Sequence, residues 1–140
     1  MSAASALQSS QGFFRTFELC YERPGFITPE KAGTTVPSIV CLAFSVELAL
    51  KSVLLHDNRS SHGHSLWNLY SRLPTRLRSE IVARTSRTDQ EFELELKSAA
   101  NAFVQWRYIH EQTRMVGVSV GFLRELYVSV SSVASEAIYP

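Results

Sequence analysis

The sequence is poor in the features that make chemistry easy to recognise. Cysteine occurs only twice, at Cys20 and Cys41, each in an apolar surrounding and with no C-x-x-C pair. No thiol-rich metal motif or redox pair can be built from that spacing, and both residues are read as buried free thiols of a chain in a reducing compartment. An excess of one charge is also missing. Fourteen Lys and Arg stand against 13 Asp and Glu, a formal net charge of +1, so nucleic acid as a partner needs a local basic patch. The start, MSAASALQSSQG, has neither the positive region nor the apolar run of a signal peptide. No run is read as approaching the roughly 18 apolar residues of a membrane span. The expectation is a cytoplasmic protein without membrane contact. The G-x-x-x-x-G-K and G-x-G-x-x-G patterns are absent, which removes the P-loop and the dinucleotide fold. No cofactor is expected.

What is present is helical periodicity. A chain of 140 residues suits one domain, read as 1–140, and is long enough to bury a core without disulfides or metals. From Ala3 to Tyr21, Leu7, Phe13, Phe14, Phe17 and Tyr21 mostly recur at helical steps, in a helix expected to be interrupted or to start late near Gly12. Residues 24–37 hold three prolines and two glycines and are expected to form a loop, closed by a helix start at Thr34 or Thr35 with Pro37. PSIVCLAFSVELALKSVLL, Pro37 to Leu55, is apolar round most of a helix and belongs at the centre of the domain. Asp57-Asn58 breaks it. Leu66, Leu69, Tyr70 and Leu73 form a further helical piece ended by Pro74, and Leu77, Ile81 and Val82 another. Thr88 and Glu91 have capping-box spacing, opening a helix expected to carry Phe92, Leu96, Ala99, Phe103 and Trp106 and to run to about Arg114. A last helix from about Ser119 uses Phe122, Leu126, Val130, Val133 and Ala137. The fold class is all-α, a five- to six-helix up-and-down bundle.

Four groups of polar residues are candidates for chemistry. Glu47 and Lys51 interrupt the most apolar helix one turn apart, acid first, the favourable order for a pair. They form either a semi-exposed intrahelical pair or a buried carboxylate reaching a cation near Arg107. Arg107, His110, Glu111 and Arg114 share a helical face. They read either as a histidine base with arginines holding phosphate, or as a solvated helix end matching the dipole. His56, His62 and His64 flank a turn, in which His64 or Ser65 as a helix cap outweighs a metal site. Five arginines from Arg72 to Arg87 face one acid, Glu80. They are either a phosphate-contacting surface or a solvated face in an arginine-rich chain.

Three pieces in order, FSVELALKSVLL, GHSLWNLYSRLP and FVQWRYIHE, resemble the HEPN domains, small all-α domains associated with nucleotide binding. The resemblance is strongest over 36–111 and is carried by the E-x-x-x-K pair at Glu47 and Lys51 and the GH-x-L of Gly63 to Leu66. It implies binding or processing of RNA or nucleotides, in a prokaryotic defence or toxin–antitoxin type system. The activity it implies is that of a metal-independent ribonuclease working as a homodimer. Arg107 and His110 would be the catalytic pair, oriented by Glu47. Lys51, Glu111 and Arg114 would bind phosphate or ligand, with no metal. In the family's ribonucleases an arginine precedes the histidine of a late helix by four to six residues. Here two residues separate Arg107 from His110. The pair that meets the spacing, Arg59 and His64, lies in the turn after the apolar helix and is read as coincidental. The alternative is a catalytically inactive dimerisation or partner-binding module, with Trp106 and Tyr108 as interface anchors.

Overall fold

Six helices and no strands are present in the computed structural model, which describes residues 1–21, 29–100 and 120–140. They are α1 (Ala3–Cys20), α2 (Pro29–His56), α3 (Leu66–Ser71), α4 (Thr75–Ala83), α5 (Asp89–Ser98) and α6 (Val120–Ile138). The class is the expected all-α helical bundle. Its axis is α2, packed along α1 on one side and α6 on another, while α3 and α4 lean on α2 and α6 respectively.

Helix α2 occupies the centre because it has almost no polar side to turn outward. Ile39, Leu42, Ala43, Val46, Ala49, Leu50, Val53 and Leu54 are all buried, more than the one stripe a surface helix presents. Over Pro37–His56, 20 residues with a mean hydropathy of 2.0, α2 is long and apolar enough to cross a membrane by composition. This corrects the expectation that no stretch reaches that length. Serines and the Glu47–Lys51 pair break the apolar run without lowering its average, and 72% of the stretch is buried inside the bundle.

Two helix boundaries differ from the periodicity. Helix α1 is continuous through Gly12. A reciprocal cap starts it early, with the Ser5 amide donating to Ser2 Oγ at 3.1 Å and the Ser2 amide to Ser5 Oγ at 3.0 Å. The expected loop over 24–37 is helical from Pro29 onward, with Pro37 inside the helix. Proline suits a first turn, where its missing N–H has no intrahelical partner to lose, whereas an interior proline such as Pro37 costs a backbone bond and crowds the preceding turn, a cost the helix carries here. A third correction concerns the helix expected to run from 89 to 114. Helix α5 closes at Ser98, where the Ala99 amide turns back to Glu95 and Lys97. The Ala100 carbonyl accepts instead from the Leu66 amide at 2.9 Å, tying the start of α3 to the end of α5.

Buried polar groups and aromatic rings join the helices. Ser10 Oγ donates to the Ser45 carbonyl at 2.6 Å between α1 and α2, and Ser129 Oγ to the Ile81 carbonyl at 2.6 Å between α6 and α4. Phe14 stacks on Tyr127 at 3.9 Å, and Phe13 meets Phe44 edge-on at 4.7 Å. Thr88 caps α5 through the Glu91 amide at 3.2 Å, as its position predicts. Cys20 and Cys41 form no disulfide and are half-buried, more exposed than expected. Burial, and then the neighbouring Cys20, raise the Cys41 thiol above its ordinary value.

Two outcomes follow from these contacts. Nothing lies within 4 Å of a Cβ built on Gly12, so Gly12→Ala is expected to raise the unfolding free energy by about 0.5–1 kcal/mol in urea titration. Glu125 accepts from Ser86 and Arg87, which hold its carboxyl below the usual value, and Arg84 does the same for Glu136. Their stabilisation is complete above the ordinary carboxylate range, near pH 4, and is lost as pH falls through the lower folded values. Thermal melting between about pH 6 and pH 3 is therefore expected to fall less steeply for Glu125→Gln than for the wild type.

Candidate functional site

The site is built where α2 ends. Asn58 adopts φ +55°, in the left-handed region. The Arg59 amide bonds the Leu54 carbonyl at 2.8 Å and the Asn58 amide the Leu55 carbonyl at 3.1 Å. This is a Schellman closure, so the predicted break at Asp57-Asn58 has a defined geometry. The chain then turns back, and Gly63 takes φ +100°, a conformation that L side chains rarely adopt. Ser65 follows as the cap of α3, accepting from the Asn68 amide at 3.3 Å.

That turn brings His64 to Glu47. The Glu47 side chain is 1% exposed, and its Oε1 receives Lys51 Nζ at 3.0 Å and His64 Nδ1 at 2.9 Å. A carboxylate only accepts, so Nδ1 carries the proton of this bond. Lys51 is 12% exposed and His64 is 64% exposed, so the assembly runs from the core to the surface. The semi-exposed pair considered from sequence is thus a buried one. Its reach is to the histidine turn, and Glu47 Oε2 has no hydrogen-bond partner among the described residues. Lys51, expected to hold ligand phosphate, pairs with Glu47.

The remaining expected site residues, Trp106, Arg107, Tyr108, His110, Glu111 and Arg114, lie outside the described residues. His56 and His62 are exposed, and among the described residues no three His, Cys, Asp or Glu side chains gather to hold a metal ion. His64 as the partner of Glu47 was not anticipated. The one signal for it was the GH-x-L pattern itself, since a separation of 17 positions gives no periodic link.

The arginine run divides in three dimensions. Arg84 pairs with Glu80 at 2.7 Å and Glu136 at 2.6 Å, and Arg87 with Glu95 at 2.6 Å and Glu125 at 2.8 Å. Each of these arginines is raised further above its ordinary pKa by those partners. For these two the solvated, neutralised face holds. Arg72 and Arg78 have no carboxylate partner among the described residues. Arg72 Nη1 donates to the Ser60 carbonyl at 3.3 Å and the His62 carbonyl at 2.5 Å. Arg78 Nη2 donates to Thr75 Oγ1 at 3.1 Å.

Comparison with protein-family models, curated proteins and solved structures finds no match. The reading therefore stands on the geometry.

Removing one member of a buried ion pair strands the other. Lys51→Met is expected to lower the unfolding free energy by about 3 kcal/mol, and Glu47→Leu combined with Lys51→Met to recover most of that loss. Urea titration of the two single variants and the double variant measures the coupling. A single-variant cost below about 0.5 kcal/mol would mean the pair behaves as a solvated one.

Proposed function

We propose that this chain is a HEPN-like helical domain that binds or processes RNA or nucleotides. The observation that carries the reading is the Glu47–His64 hydrogen bond, 2.9 Å long. The E-x-x-x-K pair and the GH-x-L turn, the two segments on which the resemblance chiefly rests, form one polar assembly in space. Their conjunction gives the two segments a shared physical reason, which separate short motifs lack. A buried carboxylate that fixes the orientation of a surface histidine is also a recurrent device in sites that handle protons and phosphate.

In this reading the late segment supplies the reacting groups. Arg107 and Arg114 hold phosphate, and His110 takes or gives a proton, as in metal-independent cleavage through a ribose hydroxyl. Glu47 Oε2 is the carboxylate atom that remains for a donor from that segment, and Oε1 is committed to Lys51 and His64. A homodimer belongs to the same reading, with Trp106 and Tyr108 at its interface.

Incubation of the purified protein with end-labelled single-stranded RNA tests both steps. Wild type is expected to bind the RNA and to shorten it, His110→Ala to bind without cutting, and Arg107→Ala to lose about tenfold or more in binding. Intact RNA in every sample removes the cleavage step, and absence of binding removes the reading. Light scattering is expected to give a mass near twice 15.7 kDa.

A further inference from the structure

We propose that the cleft between the turn after α2 and the start of α4 is a phosphate-binding site. Arg59, Arg72 and Arg78 would hold there the terminal phosphate of an RNA 5′ end or of a free nucleotide. The proposal deepens the reading above by naming a ligand group, and rests on it only for the nucleotide part.

The cleft has a volume of about 710 Å³, and Arg59, Ser71, Arg72, Thr75 and Arg78 are among its lining residues. Its arginines are set in place by the backbone. The Schellman closure puts Arg59 immediately past the end of α2, where Nε bonds Asp57 Oδ2 at 2.5 Å and Nη1 bonds the Arg72 carbonyl at 2.9 Å. Arg72 returns the contact through the Ser60 and His62 carbonyls. Each arginine therefore anchors the other's segment, and their orientation does not have to be fixed when a ligand arrives. Gly63 belongs to the same arrangement through its φ of +100°, and it stands beside Arg72, whose Nη2 would lie in ordinary contact, 3.7 Å, from a Cβ there.

The donors of this cleft are only partly used. Arg59 Nη2, Arg72 Nε and Arg78 Nη1 have no acceptor among the described residues. Arg78 Nε is buried and equally without one. A buried charged donor left unpaired is costly, and a phosphate oxygen is the acceptor that suits a guanidinium fork. Among the described residues no carboxylate lines the cleft, and Asp57 is the one acid bonded to its arginines. Three guanidiniums with one carboxylate leave two positive charges, close to the charge of about −1.5 to −2 on a phosphomonoester. The start of α4 adds to the same field. Pro74 and Thr75 line the cleft, and Pro74 caps the helix without a side-chain bond, which leaves first-turn amides for an anion. Among the described residues no aromatic ring lines the cleft; its described lining offers nothing on which a base would stack, and the phosphate is the group it fits. Arg84 and Arg87 are satisfied by acids and lie outside the site.

The test uses 3′-labelled single-stranded RNA of one sequence, with a 5′-phosphate or a 5′-hydroxyl, in fluorescence anisotropy against the whole chain. Adenosine monophosphate and inorganic phosphate serve as competitors. The 5′-phosphorylated RNA is expected to bind at least about tenfold more tightly than the hydroxyl form. Arg78→Gln should abolish that preference, Arg78→Lys should keep part of it, and Arg84→Gln should leave it intact. Circular dichroism melting shows that each variant is folded. Competition by adenosine monophosphate as strong as that by the RNA end makes the free nucleotide the source, and weak competition makes it RNA; either outcome supports the site. Tight RNA binding that ignores the 5′ end overturns the cleft and leaves the RNA reading standing. Arg78-dependent binding of phosphate without any RNA binding keeps the cleft and removes the RNA reading. A 5′-phosphate preference that survives Arg78→Gln, or absence of binding by every probe, overturns the proposal.

Discussion

The burial of α2 on nearly all sides is the constraint around which the rest of this structure is arranged. A helix whose apolar residues occupy most of its circumference must be enclosed by other elements. Here α1, α6 and the short helix α3 supply that enclosure, while α4 packs on α6. The residues that cannot be apolar within it must then be satisfied locally. Ser45 and Ser52 turn their hydroxyls back to the Leu42 and Ala49 carbonyls. Glu47, which has no such recourse, takes Lys51 from its own helix and His64 from the turn that follows. The polar assembly is thus a consequence of placing one carboxylate in a helix that has to be covered.

The same logic sorts the cations. Arg84, just past the end of α4, and Arg87, in the loop that follows, meet acids from α4, α5 and α6 and are neutralised. Arginines at the junction of the α2 turn with α3 and α4 meet mostly backbone carbonyls. A carbonyl satisfies a donor without cancelling its charge. That end of the bundle therefore keeps positive charge next to the Glu47 assembly, although the chain as a whole is close to neutral.

Much of the helical architecture was legible in the order of residues. The stripes Leu66–Leu69–Tyr70–Leu73, Leu77–Ile81–Val82 and Phe122–Leu126–Val130–Val133 are buried because helical spacing puts each set on one face, whatever it packs against. The stop at Asp57-Asn58 and the cap at Thr88 were legible for the same reason, since turn and cap chemistry is local. The boundaries that moved were those where local signals compete. A Ser2–Ser5 cap outweighs Gly12, prolines at 29 and 37 are tolerated by a helix, and the Ala100 carbonyl is drawn to Leu66 where α5 ends.

The sequence by itself determined the all-α class and the apolar character that makes the 37–55 helix central, because helical periodicity is written in neighbours within a turn or two, and it placed Glu47 and Lys51 one turn apart. Only the tertiary structure decided that Glu47 is buried and meets His64, and that Arg84 and Arg87 are neutralised while Arg59, Arg72 and Arg78 share a cleft. Those outcomes depend on which distant segments the covering of α2 brings together. A spacing of 17 or 52 residues, as between Glu47 and His64 or Arg84 and Glu136, leaves no periodic trace in the chain.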